Sequence, residues 1–158
     1  MRVEQLQPGE IGSILAENDY IQGELRAKMV PTRDGHYLKF FYDQPGIHWS
    51  SLQPKARRFT HNAIYLNSSG FVAPRVDRLA RCPEENAWMV TYKSLSGEDV
   101  RALWDVKYLE GMADYLARLH QSGVYFRGIH LGNVLLQDSG GYALIDISGM
   151  TIWPWPLT

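Results

Sequence analysis

Two oxygen-bearing side chains near the end of the chain have the chemistry of a magnesium site. Asn133 closes a short loop, and Asp146 ends the last apolar strand. Mg²⁺ prefers hard oxygen ligands, so a carboxylate and a carboxamide could together hold the ion against phosphate oxygens. Each residue also has a structural interpretation, since Asp146 could form a strand-end turn and Asn133 could cap its loop. Taken singly, each residue fits the structural interpretation better.

The elements around these two residues follow the order helix, turn, loop, strand, hairpin and strand. Apolar residues at helical spacing predict a helix over Asp99–Gln121, which Gly123 ends. Short apolar runs predict strands over Val134–Leu136 and Tyr142–Ile145, joined by a turn that contains two glycines. In this layout the end of the loop and the end of the last strand could converge.

The first part of the chain is predicted to be rich in β-strands. The predicted elements are a hairpin of Ala27–Val30 and Tyr37–Tyr42, a helix over Ser50–Leu66 capped by Ser51, and strands over Val72–Leu79 and Ala87–Tyr92. Residues Lys93–Gly97 have the composition of a linker. A β-rich lobe would then be tied to a helical lobe, with a cleft at their junction where small ligands usually bind.

Composition limits the class of protein. The chain has 158 residues and a formal net charge of −1, which gives no electrostatic reason to expect a nucleic-acid partner. Its one cysteine, Cys82, excludes an internal disulfide and fits a reducing compartment. We find no secretory signal and no apolar run of about 18 residues, so the sequence predicts a cytoplasmic protein.

Positive charge is concentrated in one segment. Between Lys55 and Arg81 there are six Lys or Arg residues and one acid, Asp77. The cluster could attract phosphorylated sugars or anionic lipid headgroups, including those at a membrane surface. A solvated helix face and turn explains it equally well.

Three segments in order resemble a known family. These are YKSLSG at Tyr92–Gly97, FRGIHLGN at Phe126–Asn133 and IDIS at Ile145–Ser148. They resemble the hinge, the catalytic loop and the metal-binding DFG segment of the protein-kinase-like superfamily. Within it, the chain looks most like the bacterial lipopolysaccharide-core sugar kinases and the related toluene-tolerance proteins.

The resemblance implies a fold and an activity. The fold would be α+β and kinase-like, with a β-rich N-lobe over residues 1–92, a hinge over 93–98 and a short, truncated helical C-lobe over 99–158. The activity would be ATP-dependent phosphorylation of a sugar hydroxyl in the lipopolysaccharide core, with ATP and Mg²⁺ as cofactors. The enzyme would work at the cytoplasmic face of the inner membrane.

The resemblance also implies roles for individual residues. At family spacing, Asn133 and Asp146 are favoured as Mg²⁺ ligands. Lys39 takes the place of the lysine that holds the α- and β-phosphates, while Met89 and Tyr92 are implied as nucleotide-binding residues. Lys39 could instead be a surface lysine that lays its stem over apolar neighbours.

The catalytic loop departs from the family pattern. Gly128 stands where the catalytic aspartate is expected, and general-base help is worth about 10²–10⁴-fold in rate. His130 is the nearest group that could substitute, although a hydrogen bond to the loop backbone explains it more simply. Arg127 could contact a phosphate or an acidic group, or it could be solvated.

Two further departures concern nucleotide binding. The predicted helix after Lys39 carries no glutamate to pair with this lysine, and Asn62 could offer only a neutral contact. A glycine-rich phosphate loop is reduced to Gly23 alone. The sequence therefore leaves three hypotheses open: a sugar kinase, a pseudokinase that binds a nucleotide or a partner, and an α+β domain without a nucleotide role.

Overall fold

A computed structural model describes residues 1–22, 28–43, 53–103, 105–127 and 129–157. The chain forms two compact units, Met1–Thr60 with Arg75–Ser94 and His61–Pro74 with Leu95–Thr158. The predicted residues Gly23, Ala27, Ser50, Ser51 and Gly128 lie outside the described ranges. A β-rich sheet combined with three helices in the described part fits the predicted α+β class.

The first unit contains a six-stranded sheet. Its strands are β1 (Val3–Gln5), β2 (Ile21–Gln22), β3 (Lys28–Pro31), β4 (His36–Tyr42), β5 (Val76–Cys82) and β6 (Ala87–Lys93), and helix α1 covers Glu10–Glu17. The strand order is β1-β5-β6-β4-β3-β2, and only the β1–β5 pair is parallel among these described strands. The predicted hairpin is confirmed, because β3 and β4 pair antiparallel around a turn at Gly35 with φ 80°.

Strand β4 carries apolar residues on both of its faces. Phe40 belongs to a core cluster with Leu6, Ile11 and Met89, all at most 1 % exposed. On the other face of β4, Phe41 lies 6.0 Å from Phe59, measured between ring centroids. Because side chains alternate along a strand, this strand separates two apolar layers of the first unit.

Cys82 belongs to the core cluster of the first unit and has no exposed surface. Burial raises the pKa of its thiol, which lowers the fraction of reactive thiolate. We expect a thiol reagent at pH 8 to leave Cys82 unmodified in the native protein and to label it fully in denaturant. Stoichiometric labelling within seconds under native conditions would contradict this burial.

Helix α2 (Lys55–Ser68) is shared between the two units, since the boundary falls after Thr60. The predicted helix is present, and the apolar residues at helical spacing along it are buried: Ala56, Phe59, Ala63 and Leu66 are each at most 1 % exposed. The predicted start at Ser50 is wrong for the described part, because Gln53 and Pro54 precede the helix. The carbonyl of Pro54 accepts a hydrogen bond from the backbone N–H of Arg58 at 3.0 Å and so begins the helix.

The second unit contains helix α3 (Leu109–Gln121) and two small sheets. The strands are β7 (Glu98–Asp99), β8 (Val124–Tyr125), β9 (Val134–Leu136), β10 (Tyr142–Leu144) and β11 (Thr151–Ile152), in the orders β10-β9-β7 and β11-β8. Short 3-10 turns cover Val106–Tyr108, Leu131–Asn133 and Ile147–Gly149. The predicted strands of the β9–β10 hairpin are confirmed. The predicted end of the helix before Gly123 is also confirmed, and Gly123 has a φ of 74°.

Two predicted boundaries in these segments are wrong. The helix begins at Leu109 rather than Asp99, because Asp99 pairs with β9 and the backbone N–H of Val100 donates to the carbonyl of Val134 at 3.0 Å. Strand β5 begins at Val76 rather than Val72. Val72 instead forms an isolated parallel bridge to Ala143 in the second unit.

Tyr115 on α3 is buried with an unsatisfied hydroxyl. Its ring packs against Phe71 and Tyr142, with centroid distances of 5.9 and 5.4 Å. Among the described residues its Oη has no hydrogen-bond partner, and burial raises the pKa of the phenol. Because an unpaired buried polar group is costly, we expect Tyr115→Phe to stabilise the protein by about 1 kcal/mol. A melting temperature that falls in calorimetry would show that Oη has a partner after all.

In the described part of the chain, none of the helices combines the length and apolar character needed to cross a membrane.

Candidate functional site

The β9–β10 hairpin brings Asn133 and Asp146 to neighbouring backbone positions. Val134 pairs with Leu144, and the backbone N–H of Ile145 donates to the carbonyl of Asn133 at 2.9 Å. Asp146 follows Ile145 directly, so both residues lie at the same end of the hairpin. Asn133 is 9 % exposed and Asp146 is half-buried.

The backbone of Asp146 has an uncommon conformation. Its φ of 52° and ψ of 44° lie in the left-handed region, and among the described residues only Asn86 is another non-glycine with positive φ. Asp and Asn tolerate this region best, and residues held there are concentrated at functional sites. The conformation starts the 3-10 turn Ile147–Gly149 immediately after the carboxylate.

A buried amide on helix α2 holds this turn, a contact that the sequence did not predict. Asn62 Nδ2 donates to the carbonyl of Ile147 at 2.7 Å and to that of Met150 at 3.2 Å. The Asn62 side chain is 3 % exposed. Its amide therefore tethers the backbone that follows Asp146, where the sequence suggested only a neutral contact to Lys39. A polar residue beside the apolar stripe of α2 was the available signal.

The loop before Asn133 carries the other predicted catalytic residues. His130 precedes the 3-10 turn, and its carbonyl accepts the backbone N–H of Asn133 at 2.8 Å. Arg127 and His130 are exposed, whereas Phe126 is buried and anchors the start of the loop. Gly128 falls in a gap between the described ranges, so its role stays a prediction.

The His130 imidazole is bonded to a side chain from the segment before α3. Arg101 Nη2 lies 2.8 Å from His130 Nδ1. A guanidinium has only donors, so Nδ1 accepts and the ring proton of the neutral imidazole is on Nε2. In this arrangement Nδ1 is already occupied, which leaves His130 better suited to donate a hydrogen bond than to act as a base.

In the first unit, Lys39 is buried rather than a surface lysine. It is 9 % exposed, and its Nζ lies 5.4 Å from the ring centroids of both Phe41 and Phe59. Such cation–π contacts partly compensate a charge that has lost its water. The position is therefore a buried cation on the face of the sheet that α2 covers through Phe59.

The two other predicted nucleotide-binding residues lie on opposite faces of β6. Tyr92 shares the Lys39 face, with its ring 5.3 Å from that of Phe59 and 5.8 Å from that of Tyr37. Met89 is 1 % exposed and belongs to the core cluster with Phe40. The structure therefore groups Tyr92 with Lys39 and does not bring the Met89 side chain to them.

Part of the basic segment is engaged in packing. Arg57 and Arg81 lie over the Trp88 ring, at 5.4 and 5.2 Å from its centroid. Arg78 Nε pairs with Glu4 Oε2 at 2.7 Å. These contacts favour the structural explanation of the charge cluster for three of its six cations.

The side-chain oxygens of Asn133 and Asp146, both in the second unit, are ligands of the kind that suits Mg²⁺. Among the described residues, no group of three or more His, Cys, Asp or Glu could hold a metal ion. An amide and a single carboxylate are enough when phosphate oxygens and water complete the coordination, as is usual for Mg²⁺. Asn133 and Asp146 thus fit the ion only together with a phosphate ligand.

Sequence comparisons and structure comparisons differ in outcome. No protein-family model and no curated protein matches the sequence. Solved structures of WbdD, described as a bifunctional kinase-methyltransferase, do match, with a TM-score of 0.57 and 22% identity over 82% of this chain and 31% of the other. A WbdD complex with the kinase inhibitor LY294002 gives a TM-score of 0.58 and 23% identity, over 85% of this chain and 33% of the other.

A 2.2 Å structure of WbdD matches with a TM-score of 0.59 and 22% identity, over 87% of this chain and 34% of the other. This chain therefore spans about a third of the length of the WbdD chains. At this level of identity the likeness shows the fold alone: this chain folds like the matching third of WbdD.

Proposed function

We propose that this chain is an ATP-dependent phosphotransferase whose acceptor is a sugar hydroxyl of the lipopolysaccharide core. The observation that carries the proposal is the hydrogen bond from Ile145 to Asn133, which sets an amide and a left-handed aspartate side by side at the end of one hairpin. The acceptor class rests on the resemblance of the three sequence segments.

Each residue has a defined task in this proposal. Asn133 and Asp146 hold Mg²⁺, which neutralises phosphate charge when it is bound. Lys39 binds a nucleotide phosphate, and its ammonium group lies 5.4 Å from the ring centroids of Phe41 and Phe59. Tyr92 and the backbone near Met89 contribute to nucleotide binding. Asn62 fixes the turn after Asp146, so the carboxylate is held in place before any ligand arrives.

The proposed reaction also implies a cellular location for the protein. Phosphorylation of a lipopolysaccharide-core sugar by ATP requires access to the cytoplasm, with peripheral contact at the inner membrane. Arg75, an exposed cation of the Lys55–Arg81 segment, would contribute to such contact, because anionic lipids attract positive charge.

Calorimetric and thermal-shift titrations with ATP, in the presence and absence of Mg²⁺, test the nucleotide part. A ligand that binds only the folded state at 100 times its Kd stabilises it by about 2.7 kcal/mol. We expect stabilisation that depends on Mg²⁺, and transfer of labelled γ-phosphate to purified core oligosaccharide. Absence of any ATP effect at millimolar concentration would remove the proposal.

A pseudokinase is the second candidate, and one contact favours it. Arg101 occupies Nδ1 of His130, and Gly128 provides no carboxylate, so neither residue is set up as a base. This candidate predicts nucleotide binding without turnover, and Gly128→Asp would not create activity. Turnover of a core sugar by the unmodified chain would eliminate it.

A further inference from the structure

We propose that Arg101 and His130 form an anion-binding pair that recognises a phosphate group already present on the acceptor. That the bound molecule is the acceptor depends on the proposed function. That the pair binds an anion depends on the geometry of Arg101 and His130 alone. It narrows the acceptor from a sugar in general to a phosphorylated sugar.

The backbone of Arg101 is firmly held. Its N–H donates to Asp99 Oδ1 at 2.7 Å. The preceding residue, Val100, is 1 % exposed and donates its N–H to the carbonyl of Val134. Arg101 is thus fixed beside the first residue of β9, next to Asn133, although its side chain is exposed.

The two side chains present donors in excess. The guanidinium has five N–H groups, of which one is directed at His130 Nδ1. The neutral imidazole then keeps its proton on Nε2, and His130 is exposed. A ligand that satisfies several N–H donors from two side chains needs several acceptor oxygens and negative charge, which a phosphate group supplies.

Gly132 makes room for this pair. A Cβ at Gly132 would lie 2.8 Å from Arg101 Nη2, 3.0 Å from Arg101 Cζ and 3.2 Å from His130 Cε1. Any side chain at this position would push the guanidinium away from the loop. Because Gly132 directly precedes Asn133, the glycine keeps the cation beside the proposed metal ligand.

Inorganic phosphate is the probe that tests the pair. We would titrate it at constant ionic strength against chloride, with the nucleotide site saturated by a non-hydrolysable ATP analogue and Mg²⁺, and follow the His130 imidazole by NMR. The expected result is a saturable shift of the His130 signals that Arg101→Gln weakens by about tenfold.

Gly132→Ala is the second variant, and it leaves every charge in place. Its Cβ meets the end of a flexible side chain, so folding should be unaffected while phosphate affinity falls by at least about fivefold. Gly141→Ala is the matched control, since a Cβ there has its nearest atom at 3.9 Å. Equal phosphate affinity in all four proteins, or no saturable shift in the wild type, would overturn the inference.

The two proposals fail separately. If the anion-site inference is wrong, phosphate leaves the NMR signals of His130 unchanged while ATP still stabilises the protein. If the nucleotide proposal is wrong, ATP does not bind, and the phosphate titration can still be followed by the NMR signals of His130. If both succeed, phosphorylated and unphosphorylated sugars should differ in KM, and Arg101→Gln should remove that difference.

Discussion

Asp146→Asn is expected to abolish Mg²⁺-dependent ATP binding, with an affinity loss of about 100-fold or more. The carboxylate is the one negatively charged ligand in the proposed pair, and the amide of Asn133 cannot replace its charge. Titration calorimetry with ATP, with and without Mg²⁺, measures the effect. The variant should bind ATP with the same weak affinity whether or not the ion is present.

Asparagine is the right replacement because of the backbone. Residue 146 has φ 52°, a region that Asn adopts at least as readily as Asp. Alanine at this position would add a conformational cost of about 1–2 kcal/mol and confuse binding with stability. The folded fraction of Asp146→Asn should therefore equal that of the wild type in calorimetry without ligand.

Asp138→Asn is the matched control. Asp138 is exposed in the turn at the other end of the same hairpin, so the substitution changes the same charge without touching the proposed site. We expect its ATP affinity to be unchanged. If the Asp138 and Asp146 variants lose affinity equally, the effect is one of net charge and the metal assignment is wrong.

Local sequence patterns were sufficient to predict the hairpins. In β3–β4 and β9–β10, alternating apolar residues flank glycine-containing turns, and neighbouring residues in sequence determine the pairing. Because Asn133 and Asp146 flank one such hairpin, their approach follows from local structure. The apolar stripe of α2 was predictable for the same reason, since its 3.6-residue period is local.

Contacts between distant segments were not predictable. The segment from Asp99 to Tyr108 has helical periodicity, yet Asp99 pairs with β9 because the ladder with Leu135 outweighs weak helix propensity. Met89 falls on the core face through the register of β6 against β4, which fixes the side of every residue in the strand. Asn62 and Ile147 are 85 residues apart, so no local rule relates them.

Asn62→Ala is expected to destabilise the protein by about 2–3 kcal/mol and to lower Mg²⁺-dependent ATP affinity by about tenfold. The substitution leaves the carbonyls of Ile147 and Met150 without the amide donor that now satisfies them. Denaturant unfolding measures the first effect, and ligand titration on the folded fraction measures the second. Asn62→Ser keeps a shorter donor and serves if the alanine variant does not fold.

Asn67→Ala separates the two effects, because Asn67 performs the same kind of task on the same helix. Its Nδ2 donates to the carbonyls of Ala63 and Ala73 at 2.8 and 3.2 Å, so it tethers a segment that does not contain Asp146. We expect this variant to lose stability and to retain the ATP affinity of the wild type. A stability loss with unchanged affinity in both variants would reduce Asn62 to a packing residue.

The Asn62 tether matters because it holds the turn that directly follows Asp146. The left-handed conformation of Asp146 would relax more easily if the carbonyls of Ile147 and Met150 were free to turn toward water, since a non-glycine residue held in this region carries strain of the order of about 1 kcal/mol. Two hydrogen bonds from a buried amide, each worth about 1 kcal/mol, are of the size needed to hold that conformation. Helix α2 would then stabilise the proposed metal ligand through the backbone, without touching the ion, and the Asn62 and Asn67 variants together measure that contribution.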